Sequence, residues 1–402
     1  MTNSPPAKVR LEDGEAARVL ASGIDSLVLT VYLQWVKEDF LEKLHQLKGQ
    51  AQLTGREVPV SLEGQTPEDA VSCNMQTSGA GAWAYRLESA EYTLCVGTWA
   101  NVISRPNVKI EVRSETLWRL GARRSVERIV GILKRHGASV GLVKVSRADL
   151  CADVLLPETS WREDLRGCLV SRASDIEPRY SRREFSGFSL GKGAIVGRLY
   201  NKPKEIAEKS FKEWMYPIWG VEAVPEGYKI VRVEYQLRRE ALKELGVDVV
   251  DDLWRYEPNI WAYCCQNWLT VKDNPGAHHT QRNLLDWWEV VQNGYKGAQG
   301  AWPQVRAKAV KANLRALLQQ WVGLTGSIAA VIRGENPYEK DGALSLDGCI
   351  QDALRLARVA GLTDELLMEK VRLKDAKYRR GGEKYRKAVA SRPGAAEFYR
   401  GA

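Results

Sequence analysis

The chain has 402 residues, a formal net charge of +9 at pH 7 and 27% charged residues. That length allows one large domain with an appendage or two ordinary domains, and the basic balance favours a polyanionic partner over an acidic small substrate. Seven scattered cysteines without a CxxC pair argue against a disulfide framework or a zinc site and fit a reducing cytoplasm, while the lack of an apolar run of about 18 residues predicts a soluble chain with no membrane partner.

Residues 1–20 carry Pro5, Pro6 and mixed charges and read as a flexible leader. Order is expected to open with a strand over 24–32 and a helix over 34–47. A polar loop or insertion follows to residue 69, broken by Gly55, Pro59, Gly64 and Pro67. Strands over 82–89, 92–97 and 108–113 come next; in the last, Val108, Ile110 and Val112 alternate with Lys109, Glu111 and Arg113. Leu117, Leu120, Ile129, Ile132 and Leu133 predict one amphipathic helix over 116–136, stopped by Gly137. A strand over 141–155, a polar helical stretch near 160–172, and strands over 195–202 and 229–238 complete the β pattern. From residue 251 only helices are expected, over 254–270, 281–291, 303–322 and 346–360. The boundary is therefore placed near 275. It separates a domain over 21–275 from a helical region over 276–402, for DNA recognition or assembly, with a basic tail over 370–387. Within that tail, 379–387 reads as solvated, with contact to DNA or a partner as the alternative. Trp261, Trp268, Trp287, Trp288, Trp302 and Trp321 sit at helical spacing and read as core more readily than as base-stacking platforms.

Residues two apart on a strand share a face. Arg147, Asp149, Cys151 and Asp153 therefore stand on one side of their strand, with Ala148, Leu150, Ala152 and Val154 on the other. Arg232, Glu234, Gln236 and Arg238 form the polar face of a second strand, and Arg198, Tyr200 and Lys202 fall together on a third. Positive neighbours favour a phenolate and bind phosphodiester oxygens, while carboxylates can hold Mg²⁺ or Mn²⁺. Together they would make a phosphotyrosine-forming endonuclease site. The same pattern also fits the wet face of an antiparallel sheet, with Asp149 and Asp153 paired to Arg147 and Arg232 and Tyr200 simply packed. His278-His279 follows the loop signal Asn274-Pro275-Gly276 and is not read as a metal site. Gly191-Lys192-Gly193 lacks the spacing of a nucleotide-binding loop, so bound ATP is not expected.

Four segments in order, Gly23-Ile24-Asp25-Ser26-Leu27, Arg147-Ala148-Asp149-Leu150-Cys151-Ala152-Asp153, Gly197-Arg198-Leu199-Tyr200-Asn201-Lys202 and Arg232-Val233-Glu234, carry a resemblance. They resemble the replication initiation factor (Rep trans) family of rolling-circle plasmid and phage initiators and related conjugative-element relaxases. The resemblance implies an α+β fold: a degenerate HUH-like nicking domain on an antiparallel sheet, with a C-terminal helical region. Acidic residues would replace the paired histidines of a related superfamily. Tyr200 would be the nucleophile, and Asp149, Asp153 and Glu234 would surround Mg²⁺ or Mn²⁺, with Asp153 open to a supporting role. Arg147, Arg198, Lys202, Arg232 and Arg238 would meet DNA phosphates. The expected reaction is attack on single-stranded or hairpin origin DNA, giving a 5′-phosphotyrosine and a free 3′-OH, with a host helicase following; a homodimer is an open option. A relaxase with the same chemistry and a non-catalytic DNA-binding protein stand as alternatives.

Overall fold

The computed structural model describes residues 17–37, 39–99, 105–278, 281–307, 314–335, 345–361, 363–372 and 374–375. The leader before residue 17 and the basic segment 379–387 lie outside the described residues. Met1–Arg306 form one compact unit and Ala307–Ala402 a second.

The first unit is α+β. Its strands are β1 (Arg18–Trp35), β2 (Val58–Leu62), β3 (Val71–Met75), β4 (Tyr85–Glu88), β5 (Tyr92–Val96), β6 (Val108–Val112), β7 (Ala138–Pro157), β8 (Leu169–Ser171), β9 (Ile176–Ser181), β10 (Glu184–Leu190), β11 (Ile195–Asn201), β12 (Tyr228–Arg238) and β13 (Leu269–Val271). Eleven of them form one sheet in the order β2-β3-β4-β5-β6-β1-β7-β12-β11-β10-β9, antiparallel throughout, and β8 pairs with β13. The helices are α1 (Asp39–Thr54), α2 (Ser114–Leu120), α3 (Ala122–Arg135), α4 (Lys202–Glu205), α5 (Met215–Trp219), α6 (Arg239–Glu244), α7 (Val250–Ala262) and α8 (Asp286–Asn293). The second unit contains α9 (Leu314–Glu335) and α10 (Leu346–Val359). No helix among the described residues is long and apolar enough to cross a membrane.

Strand alternation sorts the two faces of the sheet as the sequence suggests. Ala148, Leu150, Ala152 and Val154 of β7 and Val231, Val233, Tyr235 and Leu237 of β12 are fully buried on the core face. Trp261, Trp268 and Trp288 close that face, with Tyr235 meeting Trp261 edge-on at 5.5 Å and Tyr295 stacked on Trp261 at 4.6 Å. Trp287 is buried as well, whereas Trp302 is exposed.

Several elements differ from expectation for identifiable reasons. The segment before residue 69 contains a strand, not only loop: Pro59 lies in β2 at the sheet edge, where a missing N–H need not break a ladder. The helix expected over 116–136 is two helices, because Gly121 adopts a left-handed φ of 81° between α2 and α3. The stretch near 160–172 holds short 3₁₀ turns and β8 instead of a helix, and the β9–β10 hairpin was not anticipated. Strands also continue past residue 251, in β13, and no helix spans 303–307. Finally, the boundary expected near 275 falls inside the first unit, because α8 and Tyr295 belong to the same hydrophobic core as the sheet.

Truncation after residue 275 should therefore abolish cooperative unfolding, whereas truncation after Arg306 should preserve it. Removing a single buried tryptophan costs about 3–5 kcal/mol, against a total stability of about 5–15 kcal/mol. Urea denaturation followed by circular dichroism distinguishes the outcomes; a sharp transition in the shorter chain would place the boundary back at 275.

Candidate active site

The site is built on β7, β12 and β11, which are adjacent in the sheet. Their register aligns Tyr200 with Arg232 and Asp153, Arg198 with Glu234 and Cys151, Gln236 with Asp149, and Arg238 with Arg147. Because alternate residues share a face, Asp149, Tyr200 and Glu234 come to one side of one sheet.

The Tyr200 hydroxyl donates to Glu234 Oε2 at 2.9 Å. Arg198 Nη1 donates to Glu234 Oε1 at 2.8 Å and its Nη2 to Gln236 Oε1 at 2.9 Å. Glu234 is thus held between a phenol and a guanidinium. Burial, and next the Glu234 charge, raise the Tyr200 phenol well above its ordinary value of 10. The expectation that flanking cations favour a phenolate therefore fails: the charge of Arg198 is directed at Glu234, and Tyr200 faces a carboxylate.

Beside this pair, Arg147 grips Asp149 through Nε, at 2.7 Å, and through Nη2. Asp149 is buried, and burial pushes its carboxyl up to about 6, with Glu234 adding to the shift and Arg147 opposing it. Arg147 and Arg198 remain partly open, with 39% and 35% of their side chains exposed, and Arg238 is exposed. These three arginines form a cationic rim.

Arg232 and Lys202 do not belong to that rim. Arg232 has no exposed atoms; it donates from Nε and Nη2 to both oxygens of Asp153 (2.7 and 2.8 Å) and from Nη1 to Asp25 Oδ1 (2.8 Å). Trp219 Nε1 adds a bond to Asp153 Oδ2 at 2.8 Å. Asp153 is therefore a structural counterion, and neither it nor Arg232 is placed to meet a metal or a phosphate. Lys202 begins α4, so strand alternation no longer governs it; it is 2% exposed and ion-paired with Glu205. Its Nζ lies 5.7 Å from the Tyr200 ring.

The pattern of the sequence assigned no role to Asp25, which the structure puts at the centre. It occupies a β-bulge between Ile24 and Ser26, with no residue opposite on β7. Ser114 Oγ and Trp118 Nε1 both donate to its Oδ1 at 2.8 Å. Burial works against its charge, but Arg232, Lys212 and the Trp118 bond outweigh it and hold the carboxyl well below the ordinary range. An aspartate in an otherwise apolar run was the available signal, since a buried carboxylate must find a partner. Gly187 is another such residue: opposite Tyr200 at φ 155°, any Cβ there would come within 2.7 Å of Tyr200 Cα.

Among the described residues no group of three His, Cys, Asp or Glu side chains is arranged to hold a metal. Compared with known proteins, the chain matches no family model and no curated protein.

The raised Asp149 carboxyl has a consequence for stability. Its folded value exceeds the ordinary 3.8, so between about pH 4 and pH 6 the folded state binds more protons than the unfolded state, and stability falls as pH rises through that window. Urea unfolding should show wild type gaining up to about 3 kcal/mol relative to Asp149→Asn as pH drops from 7 to 4. A pH-independent difference between the two proteins would show that Asp149 does not titrate there.

Proposed function

We propose that the protein cleaves and rejoins single-stranded DNA, with Tyr200 as nucleophile and Glu234 as its proton acceptor. The observation that carries this reading is the 2.9 Å hydrogen bond from the Tyr200 hydroxyl to Glu234, on a sheet face rimmed by arginines. With the phenol raised well above 10, a standing phenolate is scarce, and the proton must leave as the attack proceeds. Glu234 takes that proton, the phenol oxygen bonds to phosphorus, and the bond from phosphorus to the 3′ oxygen breaks. Glu234 then returns the proton to the leaving oxygen, giving a 3′-OH and a 5′-phosphotyrosine. Rejoining is the reverse.

Arg147 and Arg198 each pair with a carboxylate and remain part-exposed, so they can share their donors with non-bridging phosphate oxygens; Arg238 extends the positive rim. A single strand, exposed as such or in a hairpin, suits a half-buried tyrosine on a strand, since a scissile phosphate has to reach the sheet itself. Of the acids expected around Mg²⁺ or Mn²⁺, Asp149 and Glu234 fit, as two carboxylates on neighbouring strands whose charges oppose each other. Asp153 does not fit, because both its oxygens are held by Arg232, which is fully buried and cannot turn away as the part-exposed Arg147 can from Asp149, and Trp219 adds a further bond. Bound there, the ion would draw charge from a phosphate oxygen. Rolling-circle initiation at an origin, followed by a host helicase, is the finer form of this reading, supported by the motif resemblance; a conjugative relaxase shares the chemistry.

Incubation with end-labelled single-stranded DNA and Mn²⁺, then denaturing electrophoresis, should give a covalent protein–DNA band. Tyr200→Phe should give none. Glu234→Gln should slow cleavage by about 10²–10⁴-fold, the usual worth of a general base, while DNA binding persists. No band from wild type, or a band undiminished in Tyr200→Phe, would overturn the assignment, and the first result would favour a pure DNA-binding protein.

A further inference from the structure

A cavity of about 880 Å³ lies beside the outer edge of β1, within the size range of small-ligand pockets, about 300–1,000 Å³. β6 covers β1 only from Leu27 to Val31, so the stretch Ser22, Gly23, Ile24 that lines the cavity has no strand partner on that edge among the described residues. Gly23 keeps the wall shallow: a Cβ there would already touch the Trp118 ring at 3.8 Å. The half-buried Trp254 supplies aromatic surface, the buried Trp118 ring forms part of the floor, and the Arg123 guanidinium stands 5.9 Å from the Trp254 ring centre. Lys296 lies on the same lining, with its backbone N–H bonded to Ser22 Oγ at 3.0 Å. Arg123 and Lys296 are exposed, and among the described residues neither forms an ion pair. Glu257, whose Oε1 accepts from the Tyr295 hydroxyl at 2.5 Å, adds a carboxylate acceptor inside the cavity.

We propose that this cavity binds one nucleotide, with its base against Trp254 and its phosphate on Arg123 and Lys296. An indole face is a sequence-tolerant platform for a base. Two exposed cations there, which outnumber the Glu257 carboxylate on which both act, suit a phosphate rather than a neutral aromatic. The free strand edge and Glu257 offer hydrogen-bonding groups to the rim of the base. Three unpaired strand residues are a short template for an added peptide strand, which makes an extended peptide the poorer fit. The inference needs nothing from Tyr200 chemistry. The occupant is either a free mononucleotide or one unit of a longer strand, and both present the same chemistry.

Calorimetric titration of the full chain with deoxyadenosine 5′-monophosphate, with deoxyadenosine, and with a deoxyadenosine hexanucleotide separates these sources. For a free nucleotide, the monophosphate should bind, and deoxyadenosine at least about tenfold more weakly. Arg123→Ala, Lys296→Ala and Trp254→Ala should each weaken the monophosphate by about tenfold or more, with unchanged thermal melts, while Tyr200→Phe should bind as wild type. If only the hexanucleotide binds, with the same sensitivity to Arg123→Ala, Lys296→Ala and Trp254→Ala, the cavity is a subsite for a strand. Arg123 and Lys296 are exposed, so their variants keep the test valid even if Trp254→Ala fails to fold. Absence of binding by both the monophosphate and the hexanucleotide, or binding indifferent to Arg123→Ala and Lys296→Ala, overturns the proposal.

Discussion

Arg232 carries its charge at a position without solvent contact, and the three hydrogen bonds it donates to the carboxylates of Asp153 and Asp25 hold it there. An isolated guanidinium in such a place would cost several kcal/mol, so the pairing is obligatory, and its bidentate geometry fixes direction as well as charge. The bonds join three strands. Asp25 belongs to β1, Asp153 to β7 and Arg232 to β12, while Tyr200 of β11 is the cross-strand neighbour of Arg232. A one-residue slip of β12 would bury an unpaired charge and turn Glu234 to the core face. The clamp therefore specifies the register that brings Glu234 within hydrogen-bonding distance of Tyr200.

Much of this was legible in the sequence, and the illegible remainder has physical causes. Alternation along β7 and β12 sorted the acids and arginines from the core, because a sheet face repeats every two residues whatever its neighbours are. What alternation cannot supply is the partner across the sheet. Asp149 and Asp153 look equivalent in sequence, yet one is gripped by a half-exposed arginine beside Glu234 and the other by a buried arginine. Lys202 was misplaced because the strand ends at Asn201, one residue before it. Asp25 was overlooked because a bulge breaks the alternation on which the reading depended. The tryptophans of α8 were correctly read as core, but that reading also required α8 to pack with the sheet, which a boundary at 275 denied it.

The electrostatics of Tyr200 show how local pairing overrides net charge. A basic chain with arginines around a tyrosine suggests an easily ionised phenol, but charge acts through distance and competition. Arg198 is 2.8 Å from Glu234 Oε1 and so neutralises the carboxylate, not the phenol. The carboxylate is left with its second oxygen on the phenolic proton. Such an arrangement suits proton transfer during attack and poorly suits a preformed anion. It also keeps the resting tyrosine protonated, since burial and the Glu234 charge both raise its phenol well above 10.

The same network reaches the cavity beside β1. Trp118 presents its ring to that cavity, donates its indole N–H to Asp25, and lies 5.8 Å from the Arg232 guanidinium. One row across the sheet runs from Tyr200 through Arg232 and Asp153 to Ala21, next to the cavity wall at Ser22. Three strand spacings of about 4.8 Å put the two ends of that row about 14 Å apart. Met215 and Trp219 of α5 cover the middle of that row, bonded to Arg232 and Asp153, so its two ends are linked through the buried clamp. That clamp holds both ends in register, since moving Trp118 would disturb Asp25 and, through it, the only arginine that ties β12 to β1 and β7 among the described residues.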